Sequence, residues 1–152
     1  MLRERGVNYG QLALISWLAT AGFGGFLLYW WIGRLSRATA TARSTHSRPP
    51  PYIPRLLVFL HVLLAIAGLG AWVGALYLFD PLAYAALPAL GLVAVLGASM
   101  FVRWLGSRRA RRAAHSVHRA PPVSRLPTVV VLGHGVLGIT TVVLVLLSYF
   151  RH

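Results

Sequence analysis

The sequence predicts an all-α protein, a four-helix transmembrane bundle that forms one membrane domain over residues 1–152. Of its residues, 57% are hydrophobic and only 11% are charged, whereas a soluble domain carries about 25% charged residues. Four stretches of the chain lack charge over at least the ~18 residues that a membrane-spanning helix needs. The basic residues lie between these stretches, as in a protein whose loops leave the bilayer.

Each apolar stretch predicts one helix, and we place the four helices at about 12–32, 56–79, 82–102 and 128–150. At about 1.5 Å per residue, each is long enough to cross a hydrocarbon core about 30 Å thick. The first stretch is longer than the roughly 7–15 apolar residues of a secretory signal. It ends in Tyr29, Trp30 and Trp31, a pattern typical of a membrane interface, so we expect a retained helix.

The connections between the helices differ in length. Phe79-Asp80-Pro81 leaves room only for a tight turn, so the second and third helices should form an antiparallel hairpin. Pro88 lies within the third helix and should kink it, because proline lacks a backbone N–H. The other two connections are long and basic, at 33–55 and 103–127.

The arginines indicate how the bundle is oriented. All fifteen basic residues are arginine, and twelve of them lie in the two basic loops. The positive-inside rule therefore predicts that both loops are cytoplasmic and both termini extracytoplasmic. We expect the second loop to bind anionic lipid, through Arg108, Arg109, Arg111 and Arg112. Nucleic acid is not an expected partner, because its binders present basic residues on a soluble face.

The residues that are missing argue against an enzyme. The chain has no cysteine and only two acidic residues, Glu4 and Asp80, both outside the apolar stretches. This composition excludes thiolate chemistry, covalent c-type haem attachment and a paired-carboxylate site. His115 and His118 have metal-ligand spacing, but the arginines around them repel cations and favour a solvated loop.

A weak internal repeat relates the second and fourth helices. Residues 48–66 and 119–139 both run from arginine and prolines into a helix with one histidine. Aligned on that histidine, identical residues are Val58 and Val131, Leu64 and Leu137, and Ile66 and Ile139. The repeat allows two helical hairpins related by an axis along the membrane normal, as in other membrane proteins.

Two histidines, His61 and His134, lie within the predicted membrane helices. Both fall about 8–9 Å inside the hydrocarbon boundary, on helices that run parallel. We expect these helices to adjoin, which would let the two imidazoles face each other and makes them candidate ligands of one haem b. Small residues on the same helix faces would leave room for a porphyrin, and they are Ala65, Gly68, Gly138 and Thr141.

Other interpretations of the histidines remain open. Each imidazole could instead donate one hydrogen bond between packed helices, where small residues also favour close approach. A quinone or proton site is a third reading, because ionisable groups within membranes are often functional. Of these readings we favour the packing role, so we expect no cofactor; haem b is the alternative, and we expect no metal apart from its iron.

Three stretches, HVLLAIAGLGAWVGALYL, LGLVAVLGASMFVRWL and VVVLGHGVLGITTVVLVLLS, carry a resemblance. They look like small uncharacterised four-helix membrane proteins of high-GC bacteria, whose genomes also favour arginine over lysine. The resemblance covers roughly residues 55–150 and implies a bacterial plasma membrane. Through His61 and His134 alone, the chain also resembles four-helix b-type cytochromes, which often carry two haems and four ligands.

Three functions follow as hypotheses. The first is a non-catalytic subunit or accessory protein of a larger membrane complex, such as a respiratory one, whose partners are other membrane subunits. The alternative is a b-type cytochrome that carries electrons on one haem ligated by His61 and His134. A small transporter or channel is third, because no charge lies within the predicted membrane helices.

Overall fold

A computed structural model describes residues 8–42, 54–113 and 127–150 of the chain. Within these ranges it contains a short 3-10 turn, Asp80–Leu82, and four helices: α1 (Tyr9–Ala42), α2 (Arg55–Tyr77), α3 (Ala83–Ala113) and α4 (Thr128–Phe150). All four helices contain segments long and apolar enough to cross a membrane. The predicted four-helix bundle is confirmed, and its helices indicate a multi-pass membrane protein.

The positions of prolines account for the helix ends better than the limits of the apolar stretches do. Pro54 and Pro127 directly precede α2 and α4, where proline is well tolerated because the first N–H groups of a helix have no partner. In contrast, α1 continues past residue 32 and α3 past residue 102. Neither extension contains a proline or meets one at its end, so the backbone stays helical after the apolar residues stop. Part of each predicted basic loop is therefore helix.

The helices pack as two close pairs. α1 packs along α4 and α2 along α3, while the α1–α2 and α3–α4 contacts are smaller. Among the described residues the backbones of α2 and α4 make no close contact, so the expectation that these helices adjoin was wrong. They lie on one diagonal of the bundle, because antiparallel neighbours fill its sides.

Two clusters of buried side chains form the core. We call the end with Asp80–Leu82 the hairpin end, and the opposite end, where α2 and α4 begin, the basic end. The cluster nearer the hairpin end comprises Ala13, Trp17, Trp72, Ala86, Leu90 and Val145. The cluster at the basic end is centred on Trp104 and includes Leu57, Val58, Met100, Leu105 and Val131. His61 and His134 lie between the two clusters along the helix axes.

The internal repeat extends over all four helices. Adding 73 to the first and last residues of α2 gives the first and last residues of α4. The same offset relates buried residues of α1 to buried residues of α3: Ala13 to Ala86, Trp17 to Leu90, and Trp31 to Trp104. Exchanging the α1–α2 half for the α3–α4 half leaves the packing pattern unchanged. This arrangement is consistent with the predicted pair of hairpins related by an axis along the membrane normal.

Candidate functional site

The structure brings His61 and His134 together across the bundle diagonal. Their ring centroids are 6.2 Å apart, and the ring planes are inclined at 65°. Each histidine is the seventh residue of its helix, which places both about 9 Å from the helix start at the basic end. The prediction from helix register that the two rings share one depth agrees with this contact.

Each ring donates a hydrogen bond to a backbone carbonyl of an adjacent helix. His61 Nδ1 lies 3.1 Å from the Val93 carbonyl oxygen on α3, and His134 Nδ1 lies 2.9 Å from the Thr20 carbonyl oxygen on α1. Because a carbonyl only accepts, both Nδ1 atoms must carry the proton. In the neutral rings, each Nε2 atom therefore keeps its lone pair. A histidine that binds a metal typically has this hydrogen bond on its other nitrogen.

A glycine lies against each ring. A Cβ added at Gly24 would come within 3.0 Å of His134 Cε1, and one added at Gly97 within 3.2 Å of His61 Cε1. Gly24 follows Thr20 by four residues, and Gly97 follows Val93 by four. In a helix, the Cα–Cβ bond tilts toward the N-terminus, so the side chain of residue i+4 lies close to the carbonyl of residue i. A glycine there leaves the carbonyl open to an imidazole.

The two halves of the site are related by the offset of 73 that relates the helices. It maps Thr20 to Val93, Gly24 to Gly97, and His61 to His134. Neither glycine was predicted from the sequence, because the small residues expected beside the rings were those on the helices that carry the histidines. The same offset applied to α1 and α3 would have found Gly24 and Gly97.

The four predicted small residues lie toward the hairpin end from the rings. A Cβ at Gly68 would meet the Trp17 ring and Ala89 at 3.2 Å, and one at Gly138 would meet Thr20 at 3.9 Å. Thr141 is buried and hydrogen-bonds with its hydroxyl, while Ala65 is half-buried. These residues therefore line the helix interfaces beside the histidines and lie one or two turns from them.

A cluster of hydroxyl groups joins α1 to α4 beside His134. The Ser16 and Thr141 hydroxyl oxygens are 2.9 Å apart, and the Thr20 and Thr141 hydroxyl oxygens are 3.3 Å apart. Thr20 also donates to the Ser16 carbonyl at 2.8 Å. This hydroxyl cluster therefore fixes the turn of α1 whose carbonyl accepts from His134.

The spacing of the rings suits one metal bound between them. Two imidazole nitrogens on one metal are about 4 Å apart. Each nitrogen is about 1.1 Å from its ring centroid, given ring bonds near 1.35 Å, so the centroids would be about 6 Å apart. The observed 6.2 Å matches this distance, although it also lies within the roughly 4.5–7 Å of ordinary ring packing.

The described residues do not offer enough protein ligands for a bare metal ion. They contain no group of three or more histidine, cysteine, aspartate or glutamate residues that could hold one. A structural zinc ion takes about four such ligands, whereas a haem iron needs only axial ligands from the protein. Two histidines alone therefore favour haem over a bare ion.

The basic end adds a second set of polar groups. Arg108 donates to the Thr128 hydroxyl at 2.9 Å, and its guanidinium lies 4.9 Å from the centre of the Trp104 ring. Of the other predicted lipid-binding residues, Arg109 is exposed on α3. Arg111 and Arg112 belong to the helical extension of α3, but their side chains lie outside the described residues, as do His115 and His118.

Comparisons with protein families, curated proteins and solved structures found no match to this chain. The histidine pair and the residues around it are therefore the features of this chain that indicate a function.

Proposed function

We propose that this chain is a b-type haem protein of the membrane that carries one electron at a time. One observation supports this function above the others. His61 and His134 meet across the bundle at the spacing of two ligands on one metal, and each has its Nδ1 atom bonded to a carbonyl. In this arrangement the lone pair on each Nε2 atom would be available to hold a haem iron.

The residues around the pair fit this group. Gly24 and Gly97 leave the two carbonyls open, so the rings are held from opposite sides by equivalent contacts. A porphyrin has two equivalent faces, which suits two ligands related by a pseudo-twofold axis. The apolar clusters around Trp17 and Trp104 limit access of water from either end of the bundle.

The protein would contribute positioning, and the cofactor the redox chemistry. Haem, when bound, supplies a one-electron couple whose potential depends on its axial ligands and on burial. His61 and His134 would hold the iron, and the Val93 and Thr20 carbonyls would fix the ring orientations. Each Nδ1–H bond also makes its imidazole a stronger ligand, because it increases electron density on the ring.

We further propose that the chain acts as a non-catalytic subunit of a larger membrane complex, with a respiratory assembly as the leading class. An electron carrier needs a donor and an acceptor, and the chain offers no acidic pair or thiol for substrate chemistry of its own. Other membrane subunits are the partners that this role requires. Its proposed location is the bacterial plasma membrane, with anionic lipid around the basic loops.

The proposed function is tested by the absorbance spectrum of the detergent-purified protein, recorded reduced minus oxidised. We expect a low-spin b-type spectrum and about one haem per chain by the pyridine haemochrome method. A colourless protein that also fails to take up added haem would contradict the proposal, and would favour a packing role for both histidines.

The proposed orientation is tested by thiol labelling, which is clean because the chain has no cysteine. We expect Asn8→Cys to react with a membrane-impermeant reagent in intact cells. Ser44→Cys and Ser116→Cys, in the two basic loops, should react only after the cells are opened. Labelling of the loop positions from outside would reverse the orientation.

A further inference from the structure

The indole N–H of Trp104 is buried without a hydrogen-bond partner. The residue is only 3% exposed, and its Nε1 is the one fully buried side-chain nitrogen or oxygen without a partner in the described part of the chain. A buried donor left unpaired destabilises a folded protein, because it has lost its hydrogen bond to water. Trp72 shows the usual solution, since its Nε1 donates to the Gly10 carbonyl at 3.3 Å.

A positive charge is fixed beside this donor. The Arg108 guanidinium lies 4.9 Å from the Trp104 ring centre and is held by the Thr128 hydroxyl at 2.9 Å. Thr128 is the first residue of α4, and the N-terminus of a helix carries a partial positive charge. The guanidinium thus lies against the indole that carries the unpaired N–H and is hydrogen-bonded to the first residue of α4, and we call this part of the basic end the corner.

Among the described residues, no acidic side chain lies at this corner. The chain has only two acidic residues, and Glu4 lies outside the described ranges. Asp80 lies at the hairpin end, 28 residues before Arg108 and at the other end of α3. The corner therefore offers donors and positive charge to an anionic group.

We propose that Trp104 Nε1 and Arg108 bind a carboxylate of the cofactor held by His61 and His134, namely a porphyrin propionate. This inference rests on the proposed function. Trp104 follows Gly97, the residue against the His61 ring, by seven positions on α3. The step amounts to two helical turns, or about 10 Å along the axis toward the basic end, which is within reach of a propionate at the porphyrin edge.

The subsite is present in only one half of the bundle. The pseudo-twofold axis maps Trp31 to Trp104, but it maps Leu35 to Arg108. Only the α3 copy therefore has an arginine one turn after its tryptophan. A carboxylate would accordingly bind on the α3 side of the basic end.

The test compares haem b with its dimethyl ester, which has the same macrocycle but no carboxylate. Both are titrated into the haem-free full-length protein in phosphatidylcholine nanodiscs, and binding is followed by absorbance. We expect the wild type to prefer the free acid by about tenfold or more, as a charge-assisted bond implies. Arg108→Gln and Trp104→Phe should each lose most of that preference. Arg103→Gln, an exposed arginine on the same helix, should retain it.

Several outcomes would overturn the inference, and they differ from failure of the proposed function. Equal binding of acid and ester by the wild type would remove the carboxylate subsite while leaving the histidine ligands in place. If neither compound binds, the proposed function itself fails. A lipid phosphate is the other anion that suits this corner. If Arg108→Gln leaves the acid-to-ester ratio unchanged but weakens retention of phosphatidylglycerol, the subsite binds lipid.

Discussion

The α1–α4 pair and the α2–α3 pair hold their histidines in the same way but are joined by different chemistry. In both, an imidazole donates to a carbonyl that a glycine leaves open. Beside His134, the interface contains the hydroxyls of Ser16, Thr20 and Thr141. The offset of 73 maps these three residues to the apolar Ala89, Val93 and Gly68 beside His61.

This difference distinguishes the residues that the histidine site requires from the residues that only hold two helices together. Hydroxyl pairs stabilise one interface, while at the other Ala89 of α3 packs so closely against Gly68 of α2 that an added Cβ there would lie 3.2 Å from it. Both solutions bring two helices close, by hydrogen bonding in one case and by a small residue in the other. The histidine, the carbonyl and the glycine are the features common to both halves, so we assign them to the function.

The largest expected effect comes from removing either histidine. Because both rings are proposed to bind one iron, His61→Ala and His134→Ala should each abolish the low-spin b-type spectrum, to the same extent. His46→Ala, outside the described residues, is the control and should keep the full spectrum. Retention of the low-spin spectrum in only one of the two variants would contradict the equivalence of the two histidines.

The next largest effect concerns the glycines that lie against the rings. Gly24→Ala and Gly97→Ala should each lower haem occupancy, because overpacking costs about 1–3 kcal/mol. Haem occupancy of each variant is measured as haem content per folded chain.

Matched controls are available on the same two helices. A Cβ at Gly25 on α1 or at Gly91 on α3 would meet no atom of a neighbouring helix within 4 Å. Gly25→Ala and Gly91→Ala should therefore keep full haem content. If all four variants behaved alike, the glycines would act through helix propensity and would have no specific role beside the rings.

The smallest expected effect comes from the feature that the halves do not share. Thr141→Val removes the hydroxyl that contacts Ser16 and Thr20, and interhelical hydrogen bonds in membranes contribute about 0.6 kcal/mol on average. Unfolding in mixed detergent should show a loss of about this size, with the spectrum unchanged. A lost spectrum in Thr141→Val would show that the hydroxyl cluster belongs to the site.

The sequence was enough to predict the number of helices and the depth of the histidines. α2 and α4 begin within one residue of their predicted positions, because apolar runs and prolines coincide there. The rise of a helix is fixed, so position along the chain gave the depth of His61 and His134 directly.

The sequence could not show which helices adjoin. α2 and α4 are apolar on all sides, and such helices lack the polar face that would mark an inward side. The glycines beside the rings were missed for a related reason. Gly24 and Gly97 act on histidines of other helices, a relation that helix periodicity cannot display.

The central claim is that His61 and His134 bind the same iron, and one spectroscopic measurement tests it most directly. Protein grown with ¹⁵N-histidine is loaded with haem and oxidised, and the hyperfine couplings of the ferric iron are recorded by pulsed electron paramagnetic resonance. We predict two histidine nitrogens coupled to one low-spin iron, with both couplings lost in His61→Ala and in His134→Ala. Coupling to one histidine nitrogen or to none in the wild-type protein would contradict the account.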